Sequence, residues 1–192
     1  MAVTCILIDV SYSMYQGETA GTMYDVINSL RMLQEEWKML YGHNSLHRCL
    51  VYLFPPHMDL ELVVNTSGTL TVNWSQIANR LEQINGRSGT NPFLALRSAL
   101  RDNRCQLYLR REYPPKNIII ISDFEPTIYI DKITDYLNEV VQLSRQYGVK
   151  IIALALKESS KYASLLRERG FEVKEILPSE VGDAIKRYCL NV

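Results

Sequence analysis

Asp9, Ser11 and Ser13 occupy alternate positions in Asp9-Val10-Ser11-Tyr12-Ser13-Met14, directly after the first apolar run of the chain. The segment offers one carboxylate and two hydroxyls at i, i+2 and i+4, where an extended strand breaks into a loop. These donors are all oxygen, the set that a hard cation such as Mg²⁺ accepts, with Mn²⁺ and Ca²⁺ as alternatives. Two more oxygens come from comparable loop positions: Thr90 in Gly86-Arg87-Ser88-Gly89-Thr90-Asn91 and Asp123 in Ile121-Ser122-Asp123. The first triplet alone also describes a strand-end turn whose side chains satisfy nearby backbone donors. Thr90 likewise sits where a helix N-cap belongs. Three pieces in this order, each at a strand or loop end, favour the cation reading.

The elements that carry these residues alternate between strand and helix patterns. Val3–Ile8 is a continuous apolar run, as expected of a strand buried on both faces. Val26, Ile27, Leu30, Leu33, Trp37 and Leu40 recur at helical spacing and predict a helix ending near Gly42. Cys49–Phe54 reads as a strand closed by Pro55-Pro56, and Leu60–Val64 as an edge strand paired with it in hairpin fashion. Trp74–Ile84 predicts a helix capped by Asn73, and Asn91 to Asp102 a second one with Pro92 in its first turn. Asn117–Ile121 is the clearest buried strand. Ile133, Leu137, Val140, Val141 and Ser144 line one helix face, which Gly148 ends before the strand Val149–Leu156. A helix around Tyr162–Arg169, a strand Phe171–Ile176 and a helix Ser179–Tyr188 follow. The sum is an α/β, doubly wound, mostly parallel six-stranded sheet with one antiparallel edge strand and helices on both faces. In such sheets ligands bind beyond the carboxyl ends of the strands, where Asp9 and Asp123 both lie.

Bulk properties exclude more than they assign. The chain has 192 residues, read as one domain, with 47% hydrophobic and 22% charged residues. Lys+Arg equals Asp+Glu at 21 each, so no overall charge excess recruits nucleic acid or an anionic membrane. The basic stretches Arg101-Asp102-Asn103-Arg104 and Arg110-Arg111 read as solvated surface. No segment approaches the ~20 apolar residues that span a bilayer. No Lys or Arg precedes the first apolar run and Asp9 interrupts it, so no secretory leader is expected. Cys5, Cys49, Cys105 and Cys189 are scattered without a C-x-x-C pair; Cys5 and Cys49 read as small core residues, and a reduced, cytoplasmic setting is expected. His43, His47 and His57 read as surface or core residues. Gln16–Thr22 is the expected flexible loop beside the site.

The D-x-S-x-S of Asp9, Ser11 and Ser13, followed by Thr90 and Asp123, resembles a von Willebrand factor type A domain with a metal-ion-dependent adhesion site. The strand and helix succession extends the resemblance over essentially all of residues 1–192. It implies Ser11 and Ser13 as direct metal ligands, Thr90 as a ligand that depends on state, and Asp9 and Asp123 acting mostly through bound waters. Many members have Gly after the second aspartate, where this chain has Phe124, expected to add bulk at the rim. Glu125 could supply another carboxylate, though a solvated loop position is the expectation. Asp123-Phe124-Glu125-Pro126-Thr127 also resembles the Asp-Gly-x-Pro-Thr of small stand-alone bacterial members, including tellurite-resistance-type proteins.

Mg²⁺ demands octahedral oxygen coordination, and a site rich in neutral hydroxyls leaves it incompletely served. The expected function is therefore a metal-dependent protein-binding module whose cation is completed by an Asp or Glu of a partner protein. Tyr12, between the serines, could contribute an aromatic contact surface with Met14 and Tyr15. Family analogy points to a ring-forming AAA+ ATPase or a stress-response assembly as the partner, with no nucleic acid and no membrane. Enzyme motifs are missing. Ser11 stands where a dehalogenase-type phosphatase needs its second acid. Gly86-Arg87-Ser88-Gly89 fails the G-x-S-x-G spacing, and no G-x-x-x-x-G-K-[ST] occurs. A Mg²⁺-dependent hydrolase, phosphatase or nuclease-like, is the alternative.

Overall fold

Every residue of Val3–Asp9 (β1) is buried in the computed structural model, which describes residues 2–16, 21–39, 48–55, 60–66, 71–109, 116–158 and 160–190. β1 is central because parallel strands flank it on both sides: Arg48–Phe54 (β2) on one and Lys116–Ser122 (β4) on the other. Glu61–Thr66 (β3) pairs antiparallel with β2 at one edge, and Lys150–Ala155 (β5) and Glu172–Glu175 (β6) continue in parallel at the other. The spatial order is β3-β2-β1-β4-β5-β6. This is the doubly wound sheet with one antiparallel edge that the alternation of elements predicts. Strand order reverses between β1 and β4, so a crevice opens beyond their carboxyl ends.

The period of two along each strand sorts the core into two layers. Ile6, Ile8, Val51, Leu53, Ile119 and Ile121 face Thr22–Met39 (α2), Trp74–Glu82 (α3) and Val181–Leu190 (α8). Cys5, Leu7, Leu50, Tyr52, Ile118 and Ile120 face Pro92–Arg101 (α4), Ile133–Tyr147 (α6) and Lys161–Glu168 (α7). Caps fix the helix ends. Asn73 Oδ1 accepts from Gln76 N–H at 3.0 Å, and Asn91 Oδ1 from Phe93 and Leu94 N–H at 3.1 Å each. Gly148 ends α6 at φ 61°, a left-handed cap.

Several boundaries differ from the sequence expectation. α2 begins at Thr22 because Thr22 and Met23 continue its buried stripe one turn upstream; its expected end near Gly42 lies outside the described residues. Tyr12–Tyr15 forms one helical turn (α1) where a loop was expected. Asn103–Leu109 forms an unforeseen helix (α5), started by the Asp102 carboxylate accepting from Arg104 N–H at 2.8 Å and Cys105 N–H at 3.2 Å. The three histidines, Arg110-Arg111 and residues 17–20 also lie outside the described residues. No helix among the described residues is long and apolar enough to cross a membrane.

Candidate metal centre

Asp9 closes β1, and register places Ile8 opposite Ile121, so Asp9 comes level with Ser122 at the end of β4. Ser122 Oγ donates to Asp9 Oδ2 at 2.6 Å. Asp9 Oδ1 accepts from Ser11 N–H at 2.9 Å and, more weakly, from Thr90 Oγ1 at 3.5 Å. Ser11 Oγ lies 3.1 Å from Ser13 Oγ. Asp123 Oδ1 accepts from Glu125 N–H at 3.1 Å, while the buried Oδ2 has no hydrogen-bond partner. Ser11, Ser13, Thr90 and Asp123 line one cleft of about 730 Å³, with Asp9 buried beneath its floor.

A second layer of contacts holds these loops in register. Segment 10–12 and the Gly86–Thr90 loop pair in parallel: Arg87 N–H donates to Val10 O at 2.8 Å and Tyr12 N–H to Arg87 O at 2.9 Å. Arg87 also donates to Pro55 O at 2.9 Å and pairs with Glu61 of β3, which Arg80 of α3 engages as well. Thr127 and Thr90 exchange hydrogen bonds, Thr90 N–H to Thr127 Oγ1 at 3.0 Å and Thr127 N–H to Thr90 O at 2.9 Å. The close pairing requires Gly86. Its φ is 83°, and a Cβ there would stand 2.9 Å from Tyr12 Cα. Gly86→Ala should therefore cost about 2–3 kcal/mol in urea denaturation, because strained backbone and a clash with main chain add. Gly148→Ala, with nothing within 4 Å of the new Cβ, should cost about 1 kcal/mol.

The electrostatics of the site are unbalanced. Asp9 is raised from the ordinary 3.8 to about 7, first by burial and then by the charge of Asp123; the Ser122 and Ser11 hydrogen bonds oppose the shift. Burial also raises Asp123, against hydrogen bonds from Ser13 and Glu125. Among the described residues neither carboxylate has an ion-pair partner, and Lys157 is engaged with Glu125 at 3.2 Å. Two buried acids without a buried cation are costly to ionise. A divalent ion would offset that cost, and Asp123 Oδ2, Ser11, Ser13 and Thr90 are oxygen donors suited to Mg²⁺. The residues present thus fit such an ion. No cluster of three or more His, Cys, Asp or Glu able to hold a metal occurs among the described residues, so this oxygen set is a hydroxyl-rich one.

All five sequence-derived residues converge, and several neighbours differ from expectation. Asn91, not Thr90, caps α4, which frees the Thr90 hydroxyl to face Asp9. Phe124 is not at the rim: it is fully buried, its ring edge-on to Phe93 at 6.5 Å, with φ at 55°. Met14 is buried and Tyr15 donates to Leu81 O at 2.8 Å, so only Tyr12, 56% exposed, remains of the supposed aromatic flank. Glu125 is a solvated loop carboxylate as expected, and it pairs with Lys157 at the edge of the cleft. Ser122 lies outside the sequence-derived set, although a lone hydroxyl ending a run of four isoleucines is a signal for it. Arg87 and Thr127 gave none, since their roles depend on loops meeting in space.

No family model matches the chain, and no curated protein matches it in sequence. Solved structures do match. The von Willebrand factor domain of the type V pili tip protein Mfa5 from Porphyromonas gingivalis superposes with a TM-score of 0.63 at 12% identity, covering 99% of this chain and 94% of that one. A von Willebrand factor type A protein from Catenulispora acidiphila gives 0.58 at 14% identity, over 97% of this chain and 41% of that one. The fold is that of a von Willebrand factor type A domain. A mutant of the PilB minor pilin from Streptococcus sanguinis is similar too, with a TM-score of 0.62 at 11% identity over 97% of this chain. This chain spans 61% of the length of that pilin. None of the three is named as an enzyme, and identities this low establish fold alone.

Proposed function

We propose that this von Willebrand type A domain is a protein-binding module whose cleft holds a divalent cation, Mg²⁺ first among them, completed by an Asp or Glu of a partner protein within an intracellular assembly. The observation that carries the reading is the buried, unpartnered Asp123 Oδ2, set among three hydroxyls above a second buried acid. Asp9 organises the loop through Ser11, Thr90 and Ser122. The bound ion would supply a positive centre able to attract a carboxylate. Tyr12, 56% exposed, and Ile128 line the cleft, and Tyr129 and Ile130, which follow Ile128 in the chain, are 44% and 50% exposed. Apolar side chains next to a polar pit suit a protein surface better than a small anion.

Hydrolysis is the weaker reading. A base that activates water must be free to take its proton; Asp9 is spent on three donors and Glu125 on Lys157, which leaves only Asp123 Oδ2, the oxygen that the cation itself would use. Phosphatase and nuclease assays with and without Mg²⁺ separate the two, since turnover lost in Asp9→Ala would favour the enzyme.

The binding reading is tested by affinity capture with wild-type and Asp9→Ala protein in Mg²⁺ and in EDTA. Partners should be retained only by wild type in Mg²⁺, and an identical set in all four arms ends the proposal. Ser11→Ala combined with Ser13→Ala should abolish the Mg²⁺-induced rise in melting temperature while costing about 1–3 kcal/mol, because the pair loses its mutual hydrogen bond and the one from Ser13 to Asp123. Ser11 is itself buried rather than at an open surface. Circular dichroism of the double variant checks that the fold persists.

A further inference from the structure

The scattered cysteines are not scattered in space. Cys5 of β1 and Cys105 of α5 are 100 residues apart in sequence, yet their sulfurs lie 3.0 Å from each other. That is about 1 Å beyond the length of a disulfide bond. Cys49 and Cys189 belong to the core layer on the opposite face of the sheet, so the sheet itself separates the two sets of thiols.

A hydrogen-bonded chain orients the close pair. Tyr52 Oη lies 3.3 Å from Asp102 Oδ1, to which it donates, and 3.3 Å from Cys105 Sγ. A phenol has a single proton, so with that proton on Asp102 the Cys105 S–H donates to Tyr52 oxygen. The lone pairs of Cys105 sulfur are then left to accept from the Cys5 S–H. The chain ends at the surface, where Arg104 pairs with Asp102 at 3.0 Å and lies 5.7 Å over the Tyr52 ring. α5, which carries Cys105, is a seven-residue helix resting on α4 and β1. Cys5, by contrast, sits in the central strand.

We propose that Cys5 and Cys105 are a cross-linking site, which a peroxide closes into a disulfide tying α5 to β1 within the native fold. Both sulfurs are fully buried, so hydrogen peroxide reaches them when the seven-residue α5 lifts locally from the sheet; it oxidises the Cys105 sulfur to a sulfenic acid and leaves as one water. The Cys5 sulfur then attacks the Cys105 sulfur, the S–O bond breaks, and the hydroxyl departs with the Cys5 proton as a second water. Two thiols lose two electrons and two hydrogens, and one peroxide is consumed. The bond closes a loop of 100 residues, the regime in which a cross-link most restricts the unfolded chain.

The test treats the folded chain with hydrogen peroxide and maps peptides without reduction. The expected product joins the peptides holding Cys5 and Cys105, is reversed by dithiothreitol, and leaves Cys49 and Cys189 open to alkylation once the protein is unfolded. The cross-linked protein should melt about 10 °C higher than the reduced one, and Cys5→Ala should show neither the link nor the rise. A different pairing overturns the proposal. So does a Cys105 carried to sulfinic acid with no link, or a link that forms only when oxidation is done in urea.

Discussion

Asp9→Asn should melt roughly 4–8 °C above wild type in EDTA at pH 8 and should no longer gain stability from Mg²⁺. A buried carboxylate raised from 3.8 to about 7 holds a proton in the folded state that the unfolded chain releases. Below pH 3.8 both states are protonated and the shift has no effect. As pH rises from there to about 7 the folded state loses stability, and above it the full cost stays. That cost is about 4 kcal/mol at the standard conversion. Asparagine removes the charge, but its amide meets the Ser122 hydroxyl, which already accepts from Phe124 N–H at 2.9 Å. Subtracting about 2 kcal/mol for that mismatch leaves a net gain of about 2 kcal/mol. A stabilised fold that has lost its cation response marks a residue kept for binding rather than for folding. Thermal melts at pH 5 and pH 8, with and without Mg²⁺, make the comparison. A variant less stable than wild type in EDTA would assign Asp9 a structural role as a loop cap.

Phe124→Gly should cost about 2–4 kcal/mol, a drop in melting temperature of roughly 6–12 °C, while the Mg²⁺ response survives. The position has φ 55°, where glycine is the relaxed choice and any other residue is strained by about 1 kcal/mol. Glycine at this position would therefore recover a little backbone energy. It would lose far more from the emptied core, since Phe124 is fully buried against Phe93, in the first turn of α4. The ring fastens the Asp123 loop to the helix whose start carries Thr90. Asp123 keeps its bond from Glu125 N–H in the variant, so the oxygen donors remain. A variant as stable as wild type would show that the ring contributes nothing to the junction.

Periodicity determined which segments are strands, which are the long covering helices, and the strand ends from which Asp9 and Asp123 project; it missed the short helices α1 and α5. A buried strand must be apolar on both faces and a covering helix on one, so hydrophobic patterning is read directly along the chain. Asp9 and Asp123 were legible for a related reason, as polar residues stranded where apolar runs stop, whereas Thr90 sits in a polar loop and was legible only by its order between them. The Asn73 cap is local and legible as well, whereas the second cap was expected at Thr90 and the fold places it at Asn91.

Tertiary structure alone decided which distant groups meet. Ser122 reaches Asp9 because β4 is the neighbour of β1, and that adjacency depends on strand order, which no local pattern encodes. Phe124 turns inward because α4 offers Phe93 beneath the loop, a contact worth more than the strain it imposes. Cys5 and Cys105 touch because a short helix started by Asp102 folds back under the sheet. Contacts of this kind depend on closing long stretches of chain, and a sequence records the residues at both ends but not the closure.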